Sequence, residues 1–462
     1  MGWKMFYGRK EELGALEDMY QSGNFEFAVI YGRRRVGKTT LIGEFIKGKK
    51  SYFFTASEST ALVNLTQLSV CIGKSNTAPV YRDFESAFKA VFDQASGSER
   101  LIFVIDEYPY LADAWRGVSS LLQILIDHNR QSSKLFLILC GSSMSFMENQ
   151  VLGSKSPLYG RRTAQFKVLP FNFFDSQPFY ENFEPVDRAL FYGFTGGVPE
   201  YLCKIRHDLS VGENIKKLFV QTSGFFFEEP SNLLKQELRE PSVYNTLIQA
   251  VAGGASKLNE IATKTGMESN KCAKYLASLI SLGLVKKETP YGEVKSKKSV
   301  YKLQDQMFRF WYRFLFPNMS AIAQGLGESV YEQDIAHEIN AYMGLVFEDI
   351  CVQWFYRQAK NNKLPFYVGN FGRYWGADPK TKTQIEIDVM AARREDALFA
   401  ECKWQNAPVG VDVYFELRRK SEMFGYESPH YFIFAKNGFT KNLEEIGLED
   451  EYLRLVKLSE MK

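Results

Sequence analysis

The sequence predicts an α/β protein: a parallel-sheet unit first, a helical region next, and a second, smaller α/β unit last. Three observations predict this. Apolar runs in the first 200 residues are continuous rather than alternating, as in parallel strands covered on both faces. Helical patterns lie between those runs, the mark of an α/β domain. A glycine-bounded loop joins the first run to the first helical pattern. The 462 residues suggest about three domains. With 45% hydrophobic and 24% charged residues, the chain is neither disordered, collagenous nor a coiled-coil rod.

In order, strands are expected at Phe25–Tyr31, Ser51–Thr55, Leu101–Ile105 and Leu135–Cys140, with helices such as Thr39–Phe45 and Phe84–Phe92 between them. Residues 1–200 form the first predicted domain and 201–241 a helical lid region. Residues 242–305 carry ten Lys and five acidic residues, a local charge of +5 against +3 for the whole chain. A short helix at Leu258–Ala262, a turn at Gly266 and an amphipathic helix at Asn270–Leu282 lead into a Gly- and Lys-rich hairpin, the order of a winged helix. Ala273, Leu276, Leu279 and Ile280 fall on one side of that helix. Six aromatic residues from Phe308 to Phe316 are expected to pack between domains, which closes the segment 242–330. Residues 331–462 begin with a long helix from about 334. Strands Gln384–Ala391 and Ala397–Trp404 follow, then a helix near 411–424 and a strand at Tyr431–Ala435.

No apolar run approaches the roughly 18 residues needed to cross a bilayer, so no membrane is expected. The N-terminus has no apolar core or cleavage site of a secretory signal. The six cysteines are scattered without a Cys-x-x-Cys pair, and four histidines make a zinc finger a poor reading. A reduced, cytoplasmic compartment is expected.

Gly32-Arg-Arg-Arg-Val-Gly37-Lys38-Thr39 matches the phosphate-binding loop G-x-x-x-x-G-K-[ST]. Glycines let successive backbone N–H groups turn toward phosphate oxygens, and the following helix adds its positive end. The candidate ATP-binding residues are Gly32, Val36, Gly37, Lys38, Thr39 and Thr40. Lys38 is expected at the β/γ-phosphates and Thr39 on Mg²⁺. The apolar strand ending in Asp106-Glu107 supplies the second half. Asp106 is placed to hold Mg²⁺, and Glu107 to polarise an attacking water. Ser142 or Ser143, after the fourth strand, is either a γ-phosphate sensor or part of a serine-rich turn. Arg161 and Arg162 are either transition-state cations or a surface pair.

These motifs carry a resemblance. Phe6-Tyr-Gly-Arg9, the loop, Val-Ile-Asp106-Glu107, Cys-Gly-Ser142-Ser143, Gly160-Arg161-Arg162 and Gly196-Gly-Val-Pro199-Glu-Tyr-Leu resemble the archaeal-type AAA+ ATPases. That family is related to the signal-transducing NTPases and often carries a winged helix and a nuclease-like C-terminal domain. The resemblance implies an AAA+-like parallel sheet, ATP and Mg²⁺ as ligands, Arg9 near the nucleotide base and Pro199 against adenine. Lys271, Lys274 and the hairpin lysines Lys295, Lys297 and Lys298 either contact the phosphates of double-stranded DNA, the expected macromolecular partner, or belong to a unit that packs between domains; a homo-oligomer is left open.

In the last segment, Ile385-Glu-Ile-Asp388-Val and Phe399-Ala-Glu401-Cys-Lys403-Trp form two neighbouring strand candidates. Period two puts Glu386 with Asp388, and Glu401 with Lys403. If the strands pair, Asp388, Glu401 and Lys403 converge, two carboxylates for a shared divalent cation and a lysine for charge. Glu348 is a further candidate acid, on a helix face with Ala341, Leu345, Val352 and Phe355. This arrangement resembles the PD-(D/E)xK restriction-endonuclease-like fold. Three readings stay open at this stage: an active nuclease, a degenerate one, and a cross-strand ion pair.

Overall fold

The computed structural model describes residues 6–76, 79–95, 99–293, 296, 298–378 and 381–461. They fall into two compact units, Met1–Pro170 with Val198–Glu200, and Phe171–Gly197 with Tyr201–Lys462. Among the described residues no helix is long and apolar enough to cross a membrane.

The first unit is built on five parallel strands: β1 (Glu26–Tyr31), β2 (Ser51–Thr55), β3 (Ile102–Asp106), β4 (Phe136–Gly141) and β5 (Ala164–Lys167). Their order is β2-β3-β4-β1-β5. Apart from Glu26, the central strands β1, β3 and β4 are buried residue after residue, which is why their sequences are continuously apolar. The edge strands β2 and β5 alternate instead. β5 escapes the sequence pattern because Ala-Gln-Phe-Lys is half polar. Its register is set by Thr163, whose hydroxyl accepts the Phe27 N–H at 2.9 Å. This order puts β4 between β1 and β3, so the C-terminal ends of all three lie side by side, about 5 Å apart.

The second unit opens with a tight backbone pair: Phe171 N–H donates to Gly197 O at 2.7 Å. A Cβ on Gly197 would lie 1.6 Å from Phe171 O, so only glycine fits there. The aromatic segment from Phe308 packs inside this unit. Phe310 meets the rings of Phe194, Phe219 and Tyr342, and Trp311 Nε1 donates to Phe227 O at 2.9 Å.

Helices Leu258–Thr265 and Ser269–Ser281 are followed by the antiparallel pair β6 (Val285–Glu288) and β7 (Val300–Leu303). Gly266, at φ 67°, makes the left-handed turn that ends the first of these helices. In the second, Cys272 joins Leu276 and Leu279 inside, while Ile280 faces solvent. Two of the hairpin lysines are engaged within the unit. Lys286 pairs with Glu288 at 2.7 Å and with Asp349 at 3.1 Å, and Lys302 pairs with Glu288 at 3.3 Å. Asp349, on the helix Ala336–Lys360, also accepts from Gln306 and Arg309, each at 3.1 Å. Burial opposes its ionisation, but Lys286 and Arg309 hold its carboxyl well below the usual range. Beyond β6, Tyr291 N–H donates to Arg373 O at 2.9 Å, and its hydroxyl accepts from Ala392 N–H at 2.8 Å. Lys298 pairs with Glu293 at 2.9 Å; Lys295 and Lys297 lie outside the described residues.

The last sheet contains β8 (Gly372–Ala377), β9 (Gln384–Arg393), β10 (Asp396–Lys403), β11 (Ser428–Ala435) and β12 (Leu453–Lys457), ordered β12-β11-β10-β9-β8. β8, β9 and β10 run antiparallel; β10, β11 and β12 run parallel. One face buries Phe399, Tyr431 and Ile433 with Tyr414 and Leu417 of the helix Val411–Ser421. The other packs Phe432 and Phe434 on Trp354 and Phe355 of the long helix. Neither β8 nor β12 is expected from sequence, since β8 is glycine-bearing and β12 alternates with charge. The strict period of two expected along β9 is also broken. Met390 pairs with Gly372 while Ile387 pairs with Tyr374, one extra residue on the β9 side. Such a bulge re-aims side chains, and Ile387 and Met390, three apart, share the core face.

Candidate active site

The loop after β1 is shaped by close approach. A Cβ on Gly32 would meet Val168 O at 2.3 Å, and Gly37 turns at φ 87° into the helix Lys38–Ile46. Lys38 is buried, and its Nζ donates to Gly32 O at 2.8 Å and Arg33 O at 3.0 Å. Thr39 Oγ1 donates to Asp106 Oδ2 at 3.0 Å. Asp106 Oδ1 accepts the Glu107 N–H at 3.0 Å, and Glu107 itself sits in the left-handed region at φ 51°. Val36 is buried; Thr40 is exposed on the first turn of the helix.

Ser142 is buried, and its hydroxyl lies 2.9 and 3.2 Å from the two Glu107 carboxylate oxygens, donating to them. Gly141 makes this meeting possible: a Cβ there would be 2.8 Å from Pro109 Cδ and 2.7 Å from Met147 Sδ. Arg9 donates to Val36 O at 3.1 Å and Leu169 O at 2.5 Å. Pro199 Cγ is 3.7 Å from where a Gly37 Cβ would be. Arg161 is bound to Asp127 at 2.6 and 2.8 Å. The hard oxygens of Thr39 and Asp106 suit Mg²⁺ in kind, and the glycine-shaped cradle with Lys38 suits polyphosphate.

In the C-terminal sheet, the β9–β10 register runs to Ala400↔Val389. Just beyond it, Asp388 Oδ2 accepts the Cys402 N–H at 2.8 Å. Glu401 is buried with both oxygens taken: Lys403 Nζ at 2.6 Å and Lys420 Nζ at 2.8 Å. Burial opposes its charge, but the two lysines hold its carboxyl below the usual range. Asp388 is pushed up to about 7 by burial, then by the charges of Glu401 and Glu348. Burial also raises Glu348, against the pull of Arg373 and Lys302. The face expected to make Glu348 apolar is mixed: Phe355 is buried, but Leu345 is 44% exposed. Glu348 therefore sits at the margin of the helix core stripe formed by Val346, Phe347, Ile350 and Cys351. Glu386 is drawn to Arg373. Among the described residues no three His, Cys, Asp or Glu side chains are grouped to hold a metal ion.

Comparison with known proteins gives the family. Residues 6–205 match the model of an ATPase domain predominantly from Archaea, and residues 311–418 one of archaeal and bacterial proteins of unknown function. An uncharacterised protein of Methanocaldococcus jannaschii is 34% identical over 430 residues, 92% of this chain and 93% of that one. The chain belongs to this archaeal ATPase family. An uncharacterised ATP-binding protein of the same organism is 49% identical over 49 residues, 11% of this chain and 83% of its own. The Walker-type ATPase of Pyrococcus abyssi shares the fold, with a TM-score of 0.52 at 19% identity, covering 67% of this chain and 96% of that one.

This ATPase is thus an ATP-hydrolysing enzyme of AAA+-like type with a parallel-sheet P-loop unit. Of the residues singled out from its sequence, Lys38, Thr39, Asp106, Glu107 and Ser142 meet at three adjacent strand ends. Glu401, Lys403 and Glu348 lie within electrostatic reach of Asp388 in the second unit. Sequence reasoning missed Lys420. It is the third of three consecutive basic residues, Arg418-Arg419-Lys420, and no spacing distinguishes it from the other two.

Proposed function

We propose that this ATPase couples its nucleotide state to DNA binding and to metal-dependent phosphodiester cleavage by its C-terminal α/β domain. In this reading the chain comprises an ATPase domain (1–200), a helical lid (201–241), a winged helix with its aromatic connector (242–330) and a restriction-endonuclease-like domain (331–462). Lys38 faces the β/γ-phosphates, Thr39 and Asp106 hold Mg²⁺, and Glu107 is the general base for water. Arg9 and Pro199, both beside the loop, flank the nucleotide base. The observation that carries the second half is the meeting of Asp388, Glu401 and Lys403 across the β9–β10 pair, with Glu348 on the long helix acting on Asp388. Asp388 accepts only the Cys402 N–H among the described residues, which leaves Oδ1 for a cation. A divalent cation there would polarise water and the phosphodiester. Lys403 would stabilise the charge that develops on phosphate.

A second reading has its own observation. Both Glu401 oxygens are engaged by lysines, and the hairpin lysines Lys286 and Lys302 are spent on internal pairs. An ATP-driven interaction switch that cuts nothing would be built this way. A plasmid and oligonucleotide cleavage assay with Mg²⁺ or Mn²⁺, with and without ATP, separates the two. Cleavage is expected from the wild type and not from Asp388→Asn, Glu401→Gln or Lys403→Ala. Absence of divalent-dependent cleavage in the wild type would favour the switch.

A further inference from the structure

Glu401 poses a problem that Lys403 alone does not explain. A buried carboxylate needs compensation, and one ammonium at 2.6 Å on Oε2 supplies it. A second ammonium, Lys420, nonetheless occupies Oε1 at 2.8 Å. The two lysines come from different elements, Lys403 from β10 and Lys420 from the last turn of the helix Val411–Ser421. Their side chains are 32% and 17% exposed, whereas that of Glu401 is 6% exposed. The carboxylate is thus buried and held from two sides, while both lysine side chains keep partial access to solvent. Long flexible stems let a lysine head move while its stem stays packed. Nothing else among the described residues accepts a hydrogen bond from Lys420 Nζ.

We propose that Lys420 is a displaceable occupant of the Glu401 carboxylate: it competes with a divalent cation for Oε1, and a phosphodiester backbone relieves the competition by drawing the ammonium away. The inference rests on the cleavage reading above for its cation, and it adds a residue and a coupling that reading does not contain. An ammonium already bound at Oε1 repels a second cation there and competes for the same oxygen, so the Lys420–Oε1 bond opposes cation entry and opening it favours entry. A phosphate oxygen is an equally good charge-assisted acceptor for lysine. Polyanion and cation then each favour the state the other needs, and by linkage they bind cooperatively. At rest the site is neutralised by its own lysine, so free cation in the absence of nucleic acid is held weakly.

The test uses the full chain carrying Asp106→Asn, so that the nucleotide site contributes no cation binding. Mn²⁺ is titrated calorimetrically, alone and with a cleavage-resistant phosphorothioate duplex. Lys420→Met should tighten Mn²⁺ binding about 10-fold or more, since one charge-assisted hydrogen bond no longer opposes it. Lys420→Gln should do the same, guarding against a folding defect of the first variant, and Lys420→Arg should restore weak binding. The duplex should tighten Mn²⁺ binding to the Lys420 protein and have a smaller effect on the Met and Gln variants. Unchanged or weaker Mn²⁺ binding in folded Lys420→Met and Lys420→Gln would overturn the proposal while leaving the cleavage reading standing, provided the wild type binds Mn²⁺ and cuts. If no variant binds Mn²⁺ and the wild type does not cut, the cleavage reading falls and this proposal with it.

Discussion

The carboxylates of the two units are held by different partners. In the first unit, Asp106 and Glu107 accept from neutral hydroxyls, Thr39 and Ser142. In the second, Glu401 accepts from two ammonium groups, and Asp388 from a backbone N–H. A hydroxyl orients a carboxylate without cancelling its charge; an ammonium cancels it. On the proposed reading, the first site therefore presents its acids to Mg²⁺ and water. The second is balanced internally, and on the proposal above it exchanges partners before it acts. The architecture explains the contrast. Adjacent parallel strand ends put Asp106 and Glu107 beside the phosphate loop, where hydroxyls are their neighbours, although Asp106 is as buried as Glu401. Glu401 lies within a sheet covered on both faces, where an unpaired charge would be costly.

The largest expected effect breaks the first site. Lys38→Ala should abolish tight Mg-ATP binding, because the cation facing polyphosphate is gone. Glu107→Gln should keep binding but lower kcat by about 10²–10⁴, the range for a lost general base. Calorimetry beside steady-state kinetics checks both, and unchanged ATP affinity in Lys38→Ala would defeat the residue assignment. A smaller effect sharpens the role of the hydroxyl. Ser142→Ala should lower kcat by up to about 10-fold with little change in KM, since one hydrogen bond to the Glu107 carboxylate is lost. In a Glu107→Gln background it should add nothing. A further loss there would mean that Ser142 acts on phosphate rather than through Glu107.

The smallest effect concerns pH in the second site. Asp388 is pushed up to about 7 in the folded chain, by burial first and then by Glu401 and Glu348; unfolded aspartate titrates near 4. Between those values the folded state holds the extra proton, so this group makes stability fall as pH rises from about 4 through about 7. Asp388→Asn should remove that slope. Its Tm should exceed that of the wild type at pH 8, and the difference should close by pH 4. A pH-independent difference would place the ionised form of Asp388 in the folded protein throughout.

The phosphate loop and the Asp106-Glu107 strand end were legible because each is a contiguous run whose chemistry and sterics act locally. Gly37 must reach φ 87°, and Lys38 and Thr39 follow it directly. Asp388, Glu401 and Lys403 were legible as candidates from two neighbouring apolar strands, with the hairpin register still to be assumed. The edge strands β5, β8 and β12 were not legible, because an edge needs only one apolar face and theirs is interrupted by glycine or charge.

The parallel sheet and the phosphate loop follow from local residues, since continuous apolar strands and a glycine-bounded turn admit few other conformations. Tertiary structure alone decided who partners each acid. Ser142 reaches Glu107 because β4 lies beside β3 and Gly141 lets Pro109 come close. The β9 bulge breaks the alternation beside Asp388. Lys420 finds Glu401 across 19 residues because its helix packs on the sheet face that carries the acid. Hydrogen-bond partners are fixed by distances of about 3 Å, and such distances between separate elements are set by packing, which no local pattern of residues encodes.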